Sequence, residues 1–147
     1  MRFQYAFQKI VDLKGNEKTQ AEWMLSSAIG RLQEEKKSLG ELLENKERMV
    51  NQLQEAAERK APVAKIQEFQ MYVQHLEQCI EKKHSDVKKA DVNVQMKKTQ
   101  LSHKMLDEKV WLKARDKAKS SFQQSMLLKE QNELDEMATV RFAMRAR

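Results

Sequence analysis

Between Ile66 and Leu101 an apolar residue recurs at every seventh position: Ile66, Val73, Ile80, Val87, Val94 and Leu101. A second series, offset by three, carries Phe69, Leu76 and Ala90, with Lys83, Lys97 and Lys104 breaking it. Two apolar rows at the a and d positions of a heptad keep one seam of a helix facing a partner helix. The β-branched row fixes that seam and the lysines weaken its companion. The rest of the chain must therefore supply the second strand of a long, imperfect coiled coil, or recruit it.

Composition agrees with this reading. A chain of 147 residues with 3 Gly, 1 Pro, 6% aromatic and 34% charged residues has few turns and much charge. That balance favours long amphipathic helices over a globule, so the core is expected to be a thin seam within one coiled-coil domain spanning residues 1–147. The formal net charge is +6, from 28 basic and 22 acidic side chains. The two signs are interspersed, as on a solvated helix surface, and an acidic partner, nucleic acid or an anionic membrane is the alternative use of the excess. The single cysteine, Cys79, excludes an intramolecular disulfide and fits a reducing compartment. No apolar run approaches the roughly 20 residues of a membrane span. The N-terminal stretch is interrupted by Lys9, Asp12 and Lys14, which makes it a poor signal peptide. The expected location is the cytosol.

Taken in order, Phe3, Phe7 and Ile10 follow helical spacing, so helix one is expected from about residue 4. Gly15 and Asn16 threaten it, but the pattern resumes at Glu17, and one glycine costs only about 1 kcal/mol. Leu25, Leu32, Leu39 and Leu53 form one heptad row with Lys46 in its gap. Ala28, Leu42, Met49 and Ala56 form the other, interrupted by Glu35. The break comes at AAERKAPVA, residues 56–64, with the sole proline, Pro62. Proline lacks a backbone donor and suits a helix's first turn, so helix one should end near Lys60 and helix two begin near Pro62. So short a connection makes the helices antiparallel. With the fold-back near residue 61, residue i lies opposite about 122 − i, which sets Leu39 near Lys83, Leu32 near Ala90 and Val11 near Trp111. Nothing breaks helix two after Pro62, so it should continue to about residue 142 and outrun its partner by roughly 25 to 30 residues.

That excess is not polar. Phe122, Met126, Leu127, Leu128, Leu134, Met137, Val140, Phe142 and Met144 stripe it. A helix so striped leaves apolar area uncovered unless it packs on the aromatic N-terminus or enters a partner, and methionines suit an adaptable binding surface. On helix two, Tyr72, Leu76, Cys79 and Lys83 line one edge at i, i+4, i+7 and i+11, either as the flank of the core or as a docking strip. Catalytic residues are not expected: the sequence has no glycine-rich phosphate loop, GxSxG or HExxH. His75 and Cys79 share a face, but zinc requires more ligands held together, so no metal and no cofactor is expected.

The opening FQYAFQKIVDLKGNEK, the mid-chain FQMYVQHLEQCIEKK and the closing DEMATVRF together resemble the FliJ family of flagellar type III export proteins, over essentially the whole length and in order. The resemblance implies an all-α fold, a long antiparallel two-helix coiled coil (a helical hairpin) with the second helix the longer, similar to the central stalk (gamma) subunit of rotary ATPases. It implies a non-enzymatic export component that binds the hexameric flagellar export ATPase, promotes its assembly and activity, and links it to the cytoplasmic domain of the export gate protein and to substrate chaperones. Under the same resemblance, the end bearing both termini would contact the ATPase through Phe3, Phe7, Ile10, Val11, Phe122, Met126, Met137, Val140, Arg141, Phe142 and Arg145. The strip of Tyr72, Leu76, Cys79 and Lys83 would correspond to the gate-binding face. The protein would work in the cytoplasm, at the membrane face of the flagellar base through partners only. Three other readings remain at this stage: a basic coiled-coil scaffold on nucleic acid, which the interspersed acids oppose; a peripheral membrane helix at residues 3–14; and a homodimeric structural coiled coil.

Overall fold

The chain turns back at the stretch containing its only proline. The computed structural model describes residues 2–146 and consists of α1 (Gln8–Glu58) and α2 (Val63–Arg145), of 51 and 83 residues. It is a helical hairpin with the longer helix second, as the sequence predicts, and no strand occurs among the described residues.

The turn is built from backbone hydrogen bonds. Lys60 has a positive φ of 55°, its N–H donates to the Ala57 carbonyl at 3.2 Å, and the Ala61 N–H donates to Ala56 at 3.0 Å. This pairing closes the end of α1 as a Schellman motif, with a lysine where glycine is usual. The Pro62 carbonyl then accepts from Ile66 at 3.2 Å, so proline caps α2 without needing a donor of its own.

Two compact units share these helices, Gln20–Ser102 and a second made of Met1–Thr19 with His103–Arg147. The first, which contains the turn, holds Ala21, Ala28, Val73, Leu76, Ile80, Ala90 and Val94 buried between its two helical segments. These residues come from the heptad rows, and in the register of the fold-back Ala28 of α1 lies opposite Val94 of α2. One gap meets another: Lys83 Nζ donates to Glu35 Oε2 at 3.0 Å, while Lys46, also a gap, pairs with Glu77 beside the seam at 3.4 Å. A lysine in one row thus faces the acid that interrupts the other.

In the second unit α1 begins at Gln8, later than the expected residue 4. The Phe7 carbonyl accepts from Ile10 and Val11 at 3.0 and 3.1 Å and takes the cap position. No Ser, Thr, Asp or Asn in residues 2–7 starts the helix earlier, and the aromatic side chains there are engaged instead with α2. Gly15 does not interrupt α1; a methyl group on its Cα would stand 3.1 Å from Glu108 Oε2, so glycine leaves room for that carboxylate. In both units the cross-helix pairs lie within about five positions of the register set by a fold-back at residue 61.

Candidate partner-binding surfaces

In the unit bearing both terminal segments, two ring contacts tie the N-terminus to α2. The Phe3 and Phe122 centroids lie 5.4 Å apart, and those of Phe7 and Trp111 lie 6.0 Å apart. Tyr5 packs edge-on against Phe7 at 5.7 Å. Tilted and edge-on rings at such distances gain attraction beyond their buried area. Val11 is buried beside them, and Ile10 and Met126 are half-buried.

An ion-pair ladder follows. Lys14 reaches Asp107 at 2.8 Å and Glu17 at 3.6 Å, Glu17 also meets Lys104 at 3.3 Å, and Lys18 meets Glu108 at 2.9 Å. The hydrogen bond to Asp107, aided by the charges of Asp107 and Glu17 and opposed by partial desolvation, holds the Lys14 ammonium above its ordinary value of 10.5. Lys104, a gap in the heptad row, is thereby matched by an acid of α1, like Lys83 in the other unit.

The residues expected at an ATPase contact thus divide. Phe3, Phe7 and Phe122 make ring contacts within the chain, although Phe7 remains 50% exposed; Val11 is buried, and Ile10 and Met126 are half-buried. Met137, Val140, Arg141, Phe142 and Arg145 are exposed, as is every described residue from Leu127 onward. Shallow grooves run along this bare helix, one of about 540 Å³ lined by Leu134, Met137, Ala138, Arg141, Phe142 and Arg145. Phe142 is 76% exposed and Met137 55%, in a stretch where no described residue is buried or half-buried.

In the other unit the expected strip is split in depth. Leu76 is only 4% exposed and belongs to the seam. Tyr72 stands at the edge, its hydroxyl 3.5 Å from Asn45 Nδ2 and its ring 6.5 Å from that of His75. Cys79 is half-buried, with Sγ 3.7 Å from His75 Nε2, and Lys83 is held by Glu35 and, at 3.9 Å, by Asp86. The surface on offer is therefore Tyr72 with the edges of Cys79 and Lys83.

Sequence reading missed the partners that make this possible: Glu35, Glu17, Asp107 and Glu108. Glu35 and Glu108 left a signal, each as an acid inside a heptad row. Among the described residues no group of three His, Cys, Asp or Glu side chains is placed to share a metal ion, and no helix is long and apolar enough to cross a membrane.

An antiparallel pair of long helices joined by a short turn defines a coiled-coil hairpin protein. The chain belongs to the FliJ family: the family model described as "Flagellar FliJ protein" matches residues 3–147. It is accordingly a component of the flagellar export apparatus. No curated protein and no solved structure matches it.

Proposed function

We propose that this chain acts by binding rather than catalysis, joining the hexameric flagellar export ATPase to the export gate and to substrate chaperones. The observation that carries the reading is the bare stripe of α2, where Met137, Val140, Phe142 and Met144 stand exposed with Arg141 and Arg145 among them. Such a surface in water calls for a partner, and family membership supplies the machine in which to look for it. The unit carrying this stripe docks on the ATPase ring and favours its assembly and turnover. The aromatic clasp of Phe3, Phe7, Trp111 and Phe122 holds the N-terminal segment against α2 beside it. Tyr72, with the edges of Cys79 and Lys83, contacts the cytoplasmic domain of the gate protein. The protein reaches the cytoplasmic face of the membrane through these partners, without binding lipid or nucleic acid itself.

The test is turnover of the cognate export ATPase. The full chain, which hydrolyses no nucleotide alone, raises ATPase turnover at saturation; Phe142→Asp lowers its affinity, and Tyr72→Asp leaves the ATPase effect intact while weakening capture by the gate domain. Unchanged ATPase turnover at saturating wild-type chain removes the proposal. Co-sedimentation with anionic liposomes, or a gel shift with nucleic acid, would favour the scaffold readings instead.

A further inference from the structure

The bare stretch of α2 has its own heptad, out of phase with the hairpin seam. In the seam, Trp111 and Phe122 continue the two rows that begin at Phe69 and Ile66. Beyond Met126 the apolar positions shift: Leu127, Leu134 and Arg141 fall in one row, and Glu130, Met137 and Met144 in the other. Each row is displaced by five positions from its seam counterpart, which at about 100° per residue turns the stripe by about 140°. It is therefore not an extension of the surface that α1 covers. All six of its residues are exposed, and no ion pair joins Glu130 or Arg141 to any described side chain.

We propose that this stripe pairs with itself, joining two copies of the chain through antiparallel α2 segments of residues 127–144. In an antiparallel coiled coil each a position of one helix meets a d position of the other. Setting Leu134 of one copy against Met137 of the second aligns every other layer. Leu127 then meets Met144, and Glu130 meets Arg141. The contact is isologous, so each layer occurs twice about a two-fold axis: four apolar layers and two ion-pair layers. The charge pattern selects this arrangement. Acids at Glu130, Glu133, Asp135 and Glu136 precede the bases Arg141 and Arg145, so reversal of direction sets opposite charges together. Parallel pairing would stack Glu130 on Glu130 and Arg141 on Arg141. The second copy is thus a complementary occupant of this face. The pairing does not depend on the ATPase reading; a chain so paired has the face covered, and a partner that binds the same stripe must displace the second copy.

The experiment is sedimentation velocity of the full chain, with reductant keeping Cys79 a thiol. The expected result is reversible monomer–dimer exchange with half-association on the order of 10–100 µM, in keeping with a small interface. Glu130→Arg alone, or Arg141→Glu alone, places like charges in two layers and weakens association about tenfold or more. The double variant Glu130→Arg/Arg141→Glu restores it, and so does mixing the two single variants. These residues are exposed, and unchanged helical circular dichroism confirms that the variants fold. A wild-type chain that stays monomeric through this range overturns the proposal, as do single reversals without effect or a double variant that fails to recover. The ATPase is absent from this measurement, so failure of self-pairing and failure of the ATPase reading are read by separate experiments.

Discussion

The two units are held by different forces, although the same two helices run through both. In Gln20–Ser102 the seam is aliphatic and closed: seven of the eight buried apolar residues lie there, from Ala21 to Val94, with charged pairs filling the gaps in the rows. Among the described residues of the unit of Met1–Thr19 and His103–Arg147 only Val11 is buried, and rings and ion pairs take over. The difference teaches where each unit draws its stability. Burial of small and β-branched side chains is not screened by salt and needs no charged partner. Exposed ion pairs are screened by salt, and the uncovered stripe beyond Met126 contributes nothing to holding the hairpin.

The largest effect that tests this contrast is a matched pair of truncations. Leu76→Ala removes a side chain 4% exposed and should lower the stability of the chain by about 2–3 kcal/mol, the lower part of the usual range because a two-helix seam collapses readily. Leu134→Ala removes one 65% exposed and should change stability by less than about 0.5 kcal/mol. Urea unfolding followed by circular dichroism reads both. Equal losses would erase the distinction between the units.

Next in size is the charged layer within the aliphatic seam. Lys83→Ala leaves Glu35 without its cross-helix cation and should cost about 1 kcal/mol. Replacing both residues by leucine should be neutral or stabilising, because an apolar layer avoids desolvating two charges. A double variant less stable than the single would show that the ion pair, not the apolar seam, dominates that layer.

A smaller gain is expected at the turn. Lys60 holds a left-handed conformation, φ 55°, that costs an L-residue about 1–2 kcal/mol. Glycine relieves that strain but loses more entropy on folding, so Lys60→Gly should stabilise the chain by about 0.5–1 kcal/mol. A loss would mean that the lysine side chain contributes to the turn.

The contrast between units also explains what the sequence disclosed. The hairpin and its register follow from heptad rows and one proline, because periodicity and a helix break are local, and they sufficed to bring the start of α1 opposite Trp111, where Phe7 meets it. The lysines at 83 and 104 look like defects when one helix is read alone. Their partners, Glu35 and Glu17, lie 48 and 87 residues away, and only the folded register brings them together. Leu76 had two places in the sequence, in the d row of the seam and on the edge of the strip, and the seam took it. The late start of α1 was invisible because Phe3 and Phe7 have helical spacing whether or not Phe122 and Trp111 engage them.

The smallest expected effect concerns Lys14, and it sets the ion-pair unit apart from the aliphatic one. Asp107 accepts its hydrogen bond at 2.8 Å and raises its proton affinity above the ordinary 10.5. A group bound more tightly to its proton when folded contributes stability that is fully present below the unfolded value and lost as pH climbs through the raised one. The contribution should therefore persist through neutral pH and vanish only above 10.5. Many groups titrate in that range, so the useful quantity is a difference: the thermal midpoint of the wild type minus that of Lys14→Met, followed from pH 8 to pH 12. Titrations common to both chains cancel, and the remaining difference should be flat to about pH 10 and then shrink. Raising the salt concentration at pH 8 should shrink the same difference by screening, and do little to the gap between wild type and Leu76→Ala. A difference that grows with pH, or a Leu76→Ala gap as salt-sensitive as that of Lys14→Met, would place both units under one force.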